Sequence, residues 1–296
     1  MVVLVIGANC TGKTHFIARN FSGEEYTVLN IYDYQERMDQ EAKGLTMWER
    51  LYRANELLNE DVAALVRHGK NAVVEQTFLR ALRRIACVDA IRAVSPDVPV
   101  EVYAMTPTDE QLRHNCEERI KESSGNAEAW FQHIKHEMEE VWEFPNPAEG
   151  YAKIYAVSGD AITECADTPD ESIIEQARSE LAREKEKRRS EQESRKRHEE
   201  LVRRTGTERF WHICEACGKK ELLTTDEAFE QGWDYPPRMY AFRMLSPRTC
   251  GNCLITSTLH WRLLTGETSL RSLDEHDKET IERILNEPES VMPKES

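Results

Sequence analysis

The sequence predicts an α/β fold, in which helices cover a mostly parallel sheet of five strands, followed by a smaller second domain. Over residues 1–169, short apolar runs alternate with amphipathic stretches of helical period, the pattern of repeated strand and helix units. A charged helical linker is predicted at 170–205 and a small cysteine-containing domain at 206–273. Residues 274–296 are predicted to form an acidic helix and a disordered tail.

The first apolar run, Val2–Ile6, is unbroken and rich in β-branched residues, as expected of a strand that is buried on both faces of a parallel sheet. The other four predicted strands are residues 26–31, 71–77, 99–105 and 153–157. Apolar residues at helical spacing predict helices at 15–21, 34–43, 47–69, 79–94 and 127–144, and a capping pattern predicts another that begins at Thr108.

Residues 7–14 read GANCTGKT and satisfy the pattern G-x-x-x-x-G-K-[ST], which describes a phosphate-binding loop, or P-loop. Glycines let successive backbone N–H groups point at one anion, and the next helix presents its positive end there. The motif therefore predicts an ATP site in which Lys13 reaches the β and γ phosphates and the Thr14 hydroxyl ligates Mg²⁺. The predicted nucleotide-binding residues are Gly7, Asn9, Cys10, Thr11, Gly12, Lys13 and Thr14. The alternative is a glycine turn without a ligand, which the preceding strand and following helix disfavour.

Two acidic residues follow predicted strands, where ligands bind to open α/β sheets. Asp33 comes just after the second strand, where a carboxylate can accept the proton of an attacking hydroxyl. The spacing fits equally well with Asp33 as the N-cap of the following helix. Glu75 ends the third strand and is the candidate carboxylate for orienting Mg²⁺.

Arginines occur on two predicted helices. For those on the 79–94 helix, Arg80, Arg83 and Arg84, solvation at the surface is favoured over a role in substrate binding. Arg113 and Arg119 lie on the helix that begins at Thr108, where a basic lid closing over a triphosphate would stabilise the transferring phosphoryl group. They are six positions apart and do not share one narrow helix stripe unless the helix ends between them, so at least one of them could be solvated.

The N-terminal half of the chain resembles P-loop phosphotransferases of the polynucleotide kinase-like group, which also contains zeta-toxin-like and small-molecule kinases. The resemblance rests on residues 7–14, residues 30–34 (NIYDY), Glu75-Gln76-Thr77 followed by Arg83-Arg84, and the lid-like stretch from Arg113 to Arg119. It implies transfer of the ATP γ-phosphate to a hydroxyl, with Asp33 as general base and Arg119 as the best match to the lid arginine.

The sequence departs from that group in two places. Glu75 stands where aspartate is more usual, and the arginine expected beside the base is missing, because Tyr34 and Gln35 follow Asp33. The acceptor therefore stays open between a nucleic-acid 5′-hydroxyl and a nucleoside or other small molecule. The alternative function is an ATP-binding switch or NTPase whose second domain binds nucleic acid or protein.

Charge and hydropathy narrow the possible partners. The chain has 39 Lys and Arg against 54 Asp and Glu, a net charge of −15, which disfavours a protein that coats nucleic acid or membranes nonspecifically. Residues 1–170 contain 17 basic against 29 acidic residues, so a small acceptor is easier to accommodate than a polynucleotide. We find no predicted targeting signal or membrane span and expect a cytoplasmic protein.

Cys214-x-x-Cys217 and Cys250-x-x-Cys253 form the ligand pattern of a tetrahedral Cys₄ zinc site, typical of zinc ribbons. Four thiolates leave no open position, so the predicted zinc is structural. Disulfides and an iron–sulfur cluster are the less favoured alternatives in a cytoplasmic chain without other signs of electron transfer.

The second domain has residues suited to stacking and phosphate contacts, namely Tyr235, Arg238, Tyr240, Phe242, Arg243, Arg248 and Trp261. A small core with a docking surface explains them equally well. Cys87, Cys116 and Cys165 are scattered and are expected to be core residues or inert. Cys10 lies inside the phosphate-binding loop, and we hypothesise that its oxidation blocks ATP binding.

Overall fold

The computed structural model covers the whole chain, and residues 1–121, 125–234 and 249–293 are described. The chain divides into two compact units, Met1–Lys185 and Glu186–Ser296, each treated separately below. Among the described residues, no helix combines the length and the apolar character needed to cross a bilayer.

The first unit is built on a six-stranded sheet with the order β2-β3-β1-β4-β5-β6. The strands are β1 (Val2–Ile6), β2 (Tyr26–Asn30), β3 (Asn71–Gln76), β4 (Val100–Met105), β5 (Lys153–Ser158) and β6 (Ala161–Cys165). The five predicted strands pair in parallel, which confirms an α/β fold with a mostly parallel sheet.

The sixth strand, β6, is an addition to the five predicted. It pairs antiparallel with β5 through a hairpin whose two turn residues are Gly159, with a φ of 59°, and Asp160. Nearly all its side chains are exposed, so it lacks the alternation of buried and exposed residues that reveals a half-buried strand. The prediction of five strands is corrected to six for this reason.

Helices connect the strands of the first unit close to the predicted positions. They are α1 (Lys13–Asn20), α2 (Ile31–Glu41), α3 (Met47–Arg67), α4 (Ala81–Val94), α5 (Asp109–Lys121) and α6 (Ala127–His136), followed by a π-helical turn at Glu137–Val141 and a 3₁₀ turn at Pro147–Glu149. The helix predicted at 127–144 is therefore α-helical only in its first part. The charged stretch forms one long helix, α7 (Glu171–Thr205), whose residues divide between the two units.

Helix α2 begins earlier than predicted, which removes one of the two interpretations of Asp33. The Asn30 side chain accepts a hydrogen bond from the Tyr32 backbone N–H and forms the N-cap. Asp33 lies instead within the first helical turn. The N-cap interpretation of Asp33 is therefore wrong.

The core of the first unit lies on both faces of the sheet. Alternate residues of β1 point to opposite faces: Leu4 joins a cluster that includes helix α3, and Val5 joins one that includes Phe16 of α1. All five residues of β1 are completely buried. The segment that precedes the phosphate-binding loop is thus fixed by packing on two sides.

The second unit has small elements around the cysteine pairs. They are β7 (Phe210–Ile213), antiparallel to β8 (Lys220–Leu223), then α8 (Thr225–Glu230), a 3₁₀ turn at Ile255–Ser257, α9 (Leu259–Leu264) and α10 (Glu275–Leu285). The expectation of a disordered tail is wrong for residues 286–293, because Val291 and Met292 are buried against Phe210.

Candidate nucleotide-binding site

The predicted phosphate-binding loop joins β1 to α1 and depends on two glycines. Gly7 has a φ of 147°, and a Cβ there would lie 2.9 Å from Thr11 Oγ1. Gly12 has a φ of 93° and is the N-cap residue of α1. Because Gly12 has no side chain to cap the helix, the first N–H groups of α1 are available to an anion.

Lys13 is folded back onto the loop. Its ammonium group donates hydrogen bonds to the carbonyl oxygens of Gly7 and Ala8, at 2.9 and 2.8 Å. Burial lowers the pKa of Lys13 to about 8, although the charge of Glu75 opposes this shift. The lysine thus lies in a poorly solvated position beside the loop, where the charge of a phosphate would stabilise its protonated form.

The hydroxyl of Thr14 and the carboxylate of Glu75 contact each other next to the phosphate-binding loop. Thr14 Oγ1 donates to Glu75 Oε1 at 2.5 Å, and Asn30 Nδ2 donates to the other carboxylate oxygen at 3.0 Å. Strand β3 lies next to β1, and Glu75 is the register partner of Val5, so the sheet itself sets this position. A hydroxyl and a carboxylate oxygen at one point fit the oxygen ligands that Mg²⁺ prefers.

The start of helix α2 contacts the loop through Tyr32, a residue that the sequence analysis did not select. Its hydroxyl donates to Asn9 Oδ1 at 2.5 Å. Asp33 is the next residue and is exposed. The exposed carboxylate of Asp33 is accessible to a ligand, and its charge adds to the rise in the pKa of Tyr34 that burial and the contact with Asp61 cause.

The two predicted lid arginines have different surroundings. Arg113 forms an ion pair with Glu128, and its guanidinium lies 4.0 Å from the centroid of the Phe131 ring. Burial raises the pKa of Tyr32, and the positive charge of Arg119 opposes this rise. Arg119 also adds to the lowering of the Lys13 pKa that burial causes. Arg119 is therefore within electrostatic range of the loop.

A cavity of about 420 Å³ lies beside the first turns of α1. The loop residues Thr11 and Gly12 form one wall, and an ion pair between Arg19 and Asp160 lies at another. The remaining lining residues are His15, Phe16, Asn20, Met105, Pro107, Gln111, Asn115, Gly159 and Ile162. These residues come from separate parts of the chain, so no local spacing in the sequence reveals them.

The arginines of α4 are not simply solvated, and for Arg84 that expectation is wrong. The Arg84 and Glu149 side chains are fully buried and form two hydrogen bonds of 2.8 Å. Arg80 pairs with Glu180, and Arg83 pairs with Glu184. The partners lie far away in sequence, so the charge pattern of the helix alone does not show them.

The four cysteines predicted to bind zinc come together in the second unit. Their sulfur atoms all lie within 4.8 Å of one another, and those of Cys217 and Cys250 are 3.8 Å apart. Tetrahedral zinc with bonds of about 2.3 Å holds sulfur atoms roughly 3.8 Å apart, so the cluster fits a metal ion of this kind. Burial alone would raise the pKa of Cys214, but hydrogen bonds from the backbone of Cys250, Cys217 and Ala216 lower it to about 7.

Most of the residues proposed for stacking and phosphate contacts in the second unit, from Tyr235 to Arg248, lie outside the described residues. Trp261 is on α9 and is 37% exposed.

A P-loop, a parallel sheet and an acidic strand end define an α/β domain of the nucleotide-binding class. The sequence model of one family, described as an AAA domain, matches residues 2–141. No curated protein matches this chain.

Several solved structures are similar in fold. A gluconokinase from Sinorhizobium meliloti 1021 shares 17% identity over 64% of this chain and 96% of its own, with a TM-score of 0.37. A sugar kinase from Janibacter sp. HTCC2649 shares 18% identity over 60% of this chain and 91% of its own, with a TM-score of 0.35. A chain of the Pnkp1/Rnl/Hen1 RNA repair complex shares 15% identity over 49% of this chain and 47% of its own, with a TM-score of 0.34. Similarity at this level concerns the fold alone.

Proposed function

We propose that the protein is an ATP-dependent phosphotransferase that moves the γ-phosphate of ATP to a hydroxyl group. The observation that carries this proposal is the hydrogen bond between Glu75 and Thr14, the last residue of the phosphate-binding loop. Lys13 precedes Thr14 in the same loop. A hydroxyl, a buried carboxylate and a buried lysine beside a helix N-terminus are the groups needed for a phosphate chain and its magnesium ion. Magnesium would bind to Thr14 and Glu75 and would offset negative charge on the phosphate oxygens.

The cavity beside α1 is the proposed place for the base and sugar of ATP. It begins at Thr11 and Gly12, so a nucleotide whose phosphates lie in the loop would extend into it. Asn115 and Gln111 offer amide groups along the α5 wall, and Arg19 with Asp160 offers a charged edge. These polar groups could hydrogen-bond to a ribose or a base.

Asp33, in the first turn of α2, is the proposed general base. Its carboxylate would accept the proton of the acceptor hydroxyl as the acceptor oxygen attacks the γ-phosphorus and ADP leaves. The Tyr32–Asn9 contact supports this assignment, because it ties the first turn of α2 to the phosphate-binding loop. Arg119 would stabilise the charge that develops on the transferring phosphoryl group.

Charge around the proposed acceptor side favours a small uncharged acceptor over a polynucleotide. Three arginines of α2 and α3 are already paired with carboxylates: Arg37 with Glu41, Arg50 with Asp39, and Arg53 with Glu60. A polynucleotide would have to displace these partners and approach a domain in which acidic residues outnumber basic ones. A nucleoside or another small polyhydroxy compound carries no such cost.

The Cys₄ cluster is proposed to hold a structural zinc ion. Its four ligands leave no open position for a substrate, and the core of this unit is small, so the ion would supply much of its stability. The second unit could then present its surface to a protein or nucleic-acid partner.

Transfer of label from γ-labelled ATP tests the function. We would compare nucleosides, sugars, protein acceptors, and RNA or DNA with a free 5′-hydroxyl, each with and without magnesium. Magnesium-dependent labelling of a small uncharged acceptor supports the proposal in full, and preferred labelling of RNA or DNA overturns the choice of acceptor. ATP binding or hydrolysis without transfer to any of them overturns the phosphotransferase assignment in favour of a nucleotide-dependent switch.

A further inference from the structure

Two cysteine side chains meet where helix α5 packs on the phosphate-binding loop. Cys10 lies in the middle of the loop, and Cys116 lies on α5. Cys116 belongs to a buried apolar cluster with Ala8 and Leu112, and Cys10 packs against that cluster. Both are free thiols in the structure.

A second contact joins the same helix to the same loop residue. Asn115 Nδ2 donates to the carbonyl oxygen of Cys10 at 2.9 Å. Cys10 itself has a φ of 59°, in the left-handed region that residues other than glycine seldom adopt. The backbone at Cys10 is thus held by its neighbours, and a change at its sulfur atom would be transmitted to the loop.

We propose that Cys10 and Cys116 are a modification site, at which a reversible disulfide links the phosphate-binding loop to helix α5 and blocks nucleotide binding. The effect on ATP rests on the function proposed above, whereas formation of the bond does not depend on it. The oxidant belongs to the peroxide class.

The reaction has two steps and consumes one peroxide. Cys10 is partly exposed, so its thiolate sulfur attacks one peroxide oxygen, the O–O bond breaks, and a sulfenic acid and water result. The Cys116 sulfur then attacks the Cys10 sulfur, the S–O bond breaks, and the thiol proton leaves with the oxygen as a second water. Two thiols lose two electrons and two protons in total, and one hydrogen peroxide becomes two water molecules.

The order of these steps follows from the surroundings of the two sulfur atoms. Cys116 is completely buried, and burial together with its contact to Cys10 raises the pKa of Cys116 to about 12. Peroxide therefore reaches the Cys116 thiol poorly. Cys116 reacts second, with the oxidised sulfur of Cys10 that is already beside it.

The new bond would disturb the nucleotide site in two ways. An S–S bond is about 2.05 Å long, much shorter than a non-bonded contact between two sulfur atoms, so Cys10 must move with its backbone N–H. The bond would also fix α5, which contains Arg119 one turn after Cys116. Both changes oppose entry of a triphosphate into the loop.

The test compares the reduced and peroxide-treated full-length protein. We expect a Cys10–Cys116 cross-linked peptide by mass spectrometry, ATP binding weaker by about tenfold or more, and recovery of both properties with dithiothreitol. The Cys116→Ala variant should bind ATP normally when reduced and keep that affinity under the same brief treatment. The Cys165→Ser variant is the matched control and should respond like the unmodified chain.

Two results would overturn the proposal: absence of the cross-linked peptide from treated protein, or an equal loss of ATP affinity in the treated Cys116→Ala variant. Should that variant fail to fold, the peptide analysis of the unmodified chain decides alone. A reduced protein that forms the disulfide but never binds ATP would instead contradict the proposed function, so the two failures are distinguishable.

Discussion

The Thr14 hydroxyl donates a hydrogen bond to Glu75 Oε1 at 2.5 Å, although the two residues lie on different elements and 61 positions apart. Glu75 is only 5% exposed, and its second carboxylate oxygen accepts from Asn30. The sheet order brings this acid beside the phosphate-binding loop, because β3 is the direct neighbour of β1.

Replacement of Glu75 should impair the use of magnesium in turnover but not the binding of the nucleotide. Glu75→Gln keeps the size of the side chain and removes its charge, so we expect magnesium-dependent turnover to fall by about a hundredfold or more. Binding of ATP without magnesium should change little. Titration with magnesium in a turnover assay measures the first effect, and equilibrium binding in the presence of a chelator measures the second. Equal magnesium requirements in the variant and the unmodified chain would refute the role of Glu75.

Substitution of the two predicted lid arginines, Arg113 and Arg119, should affect turnover differently. Arg119→Ala should lower turnover by about a hundredfold, because Arg119 is within electrostatic range of Lys13 and Tyr32. Arg113→Ala is the matched control on the same helix and should change turnover little, since Arg113 is engaged by Glu128 and Phe131. Steady-state kinetics of both variants tests this difference. A larger defect in the Arg113 variant would reverse the assignment.

ATP affinity should depend on pH through Lys13. Burial lowers the pKa of Lys13 to about 8 in the free protein, and bound phosphates favour its protonated form and raise that pKa. Below pH 8 the lysine is already charged, so affinity is nearly constant. Above pH 8 binding must take up a proton, and affinity should fall by up to about tenfold per pH unit.

Calorimetric titration in two buffers of different ionisation enthalpy measures that proton uptake directly. Lys13→Met is the control, which should bind ATP weakly and without this dependence on pH. Constant affinity of the unmodified chain between about pH 7 and 9.5 would contradict the shifted pKa.

The buried pair of Arg84 and Glu149 should matter for stability. Arg84→Met leaves the Glu149 carboxylate buried with Tyr151 as its remaining side-chain partner, which should cost about 3–5 kcal/mol of unfolding free energy. Arg178→Met removes an exposed ion pair with Asp89 and should cost about 1 kcal/mol or less. Urea unfolding measures both values. Similar losses in the two variants would contradict the structural role of the buried pair.

Metal removal should affect the second unit. We expect one zinc ion per chain, and chelation or Cys253→Ser should lower the melting temperature of the unit at Glu186–Ser296. ATP affinity, which reports on the first unit, should stay unchanged. The Cys165→Ser variant is the control and should keep its zinc. A purified protein without zinc would contradict the metal assignment.

Local sequence patterns predict the parts of the site that are contiguous in the chain. The loop at residues 7–14 and the strand before it form one unbroken segment, so composition and spacing suffice. The position of Glu75 beside the loop was predictable because parallel strands end at the same edge of a sheet. Strand β6 was not predictable, since its exposed side chains follow no alternating pattern.

Features that depend on partners far away in the sequence cannot be predicted from local sequence patterns. The burial of Arg84 depends on Glu149, which is 65 positions away, and the cavity beside α1 combines residues of several elements. The Tyr32–Asn9 contact is visible only once the start of α2 is placed next to the loop. The cysteine cluster is the opposite case, because its paired spacing predicts directly which four cysteines come together.

The central claim is that the site transfers phosphate with Asp33 as the base, and one comparison tests it most directly. Transfer of the γ-phosphate and equilibrium ATP affinity would be measured side by side for the unmodified chain and for Asp33→Asn. The account predicts that transfer falls by about two orders of magnitude or more while ATP affinity is retained. Unchanged transfer by Asp33→Asn would contradict it.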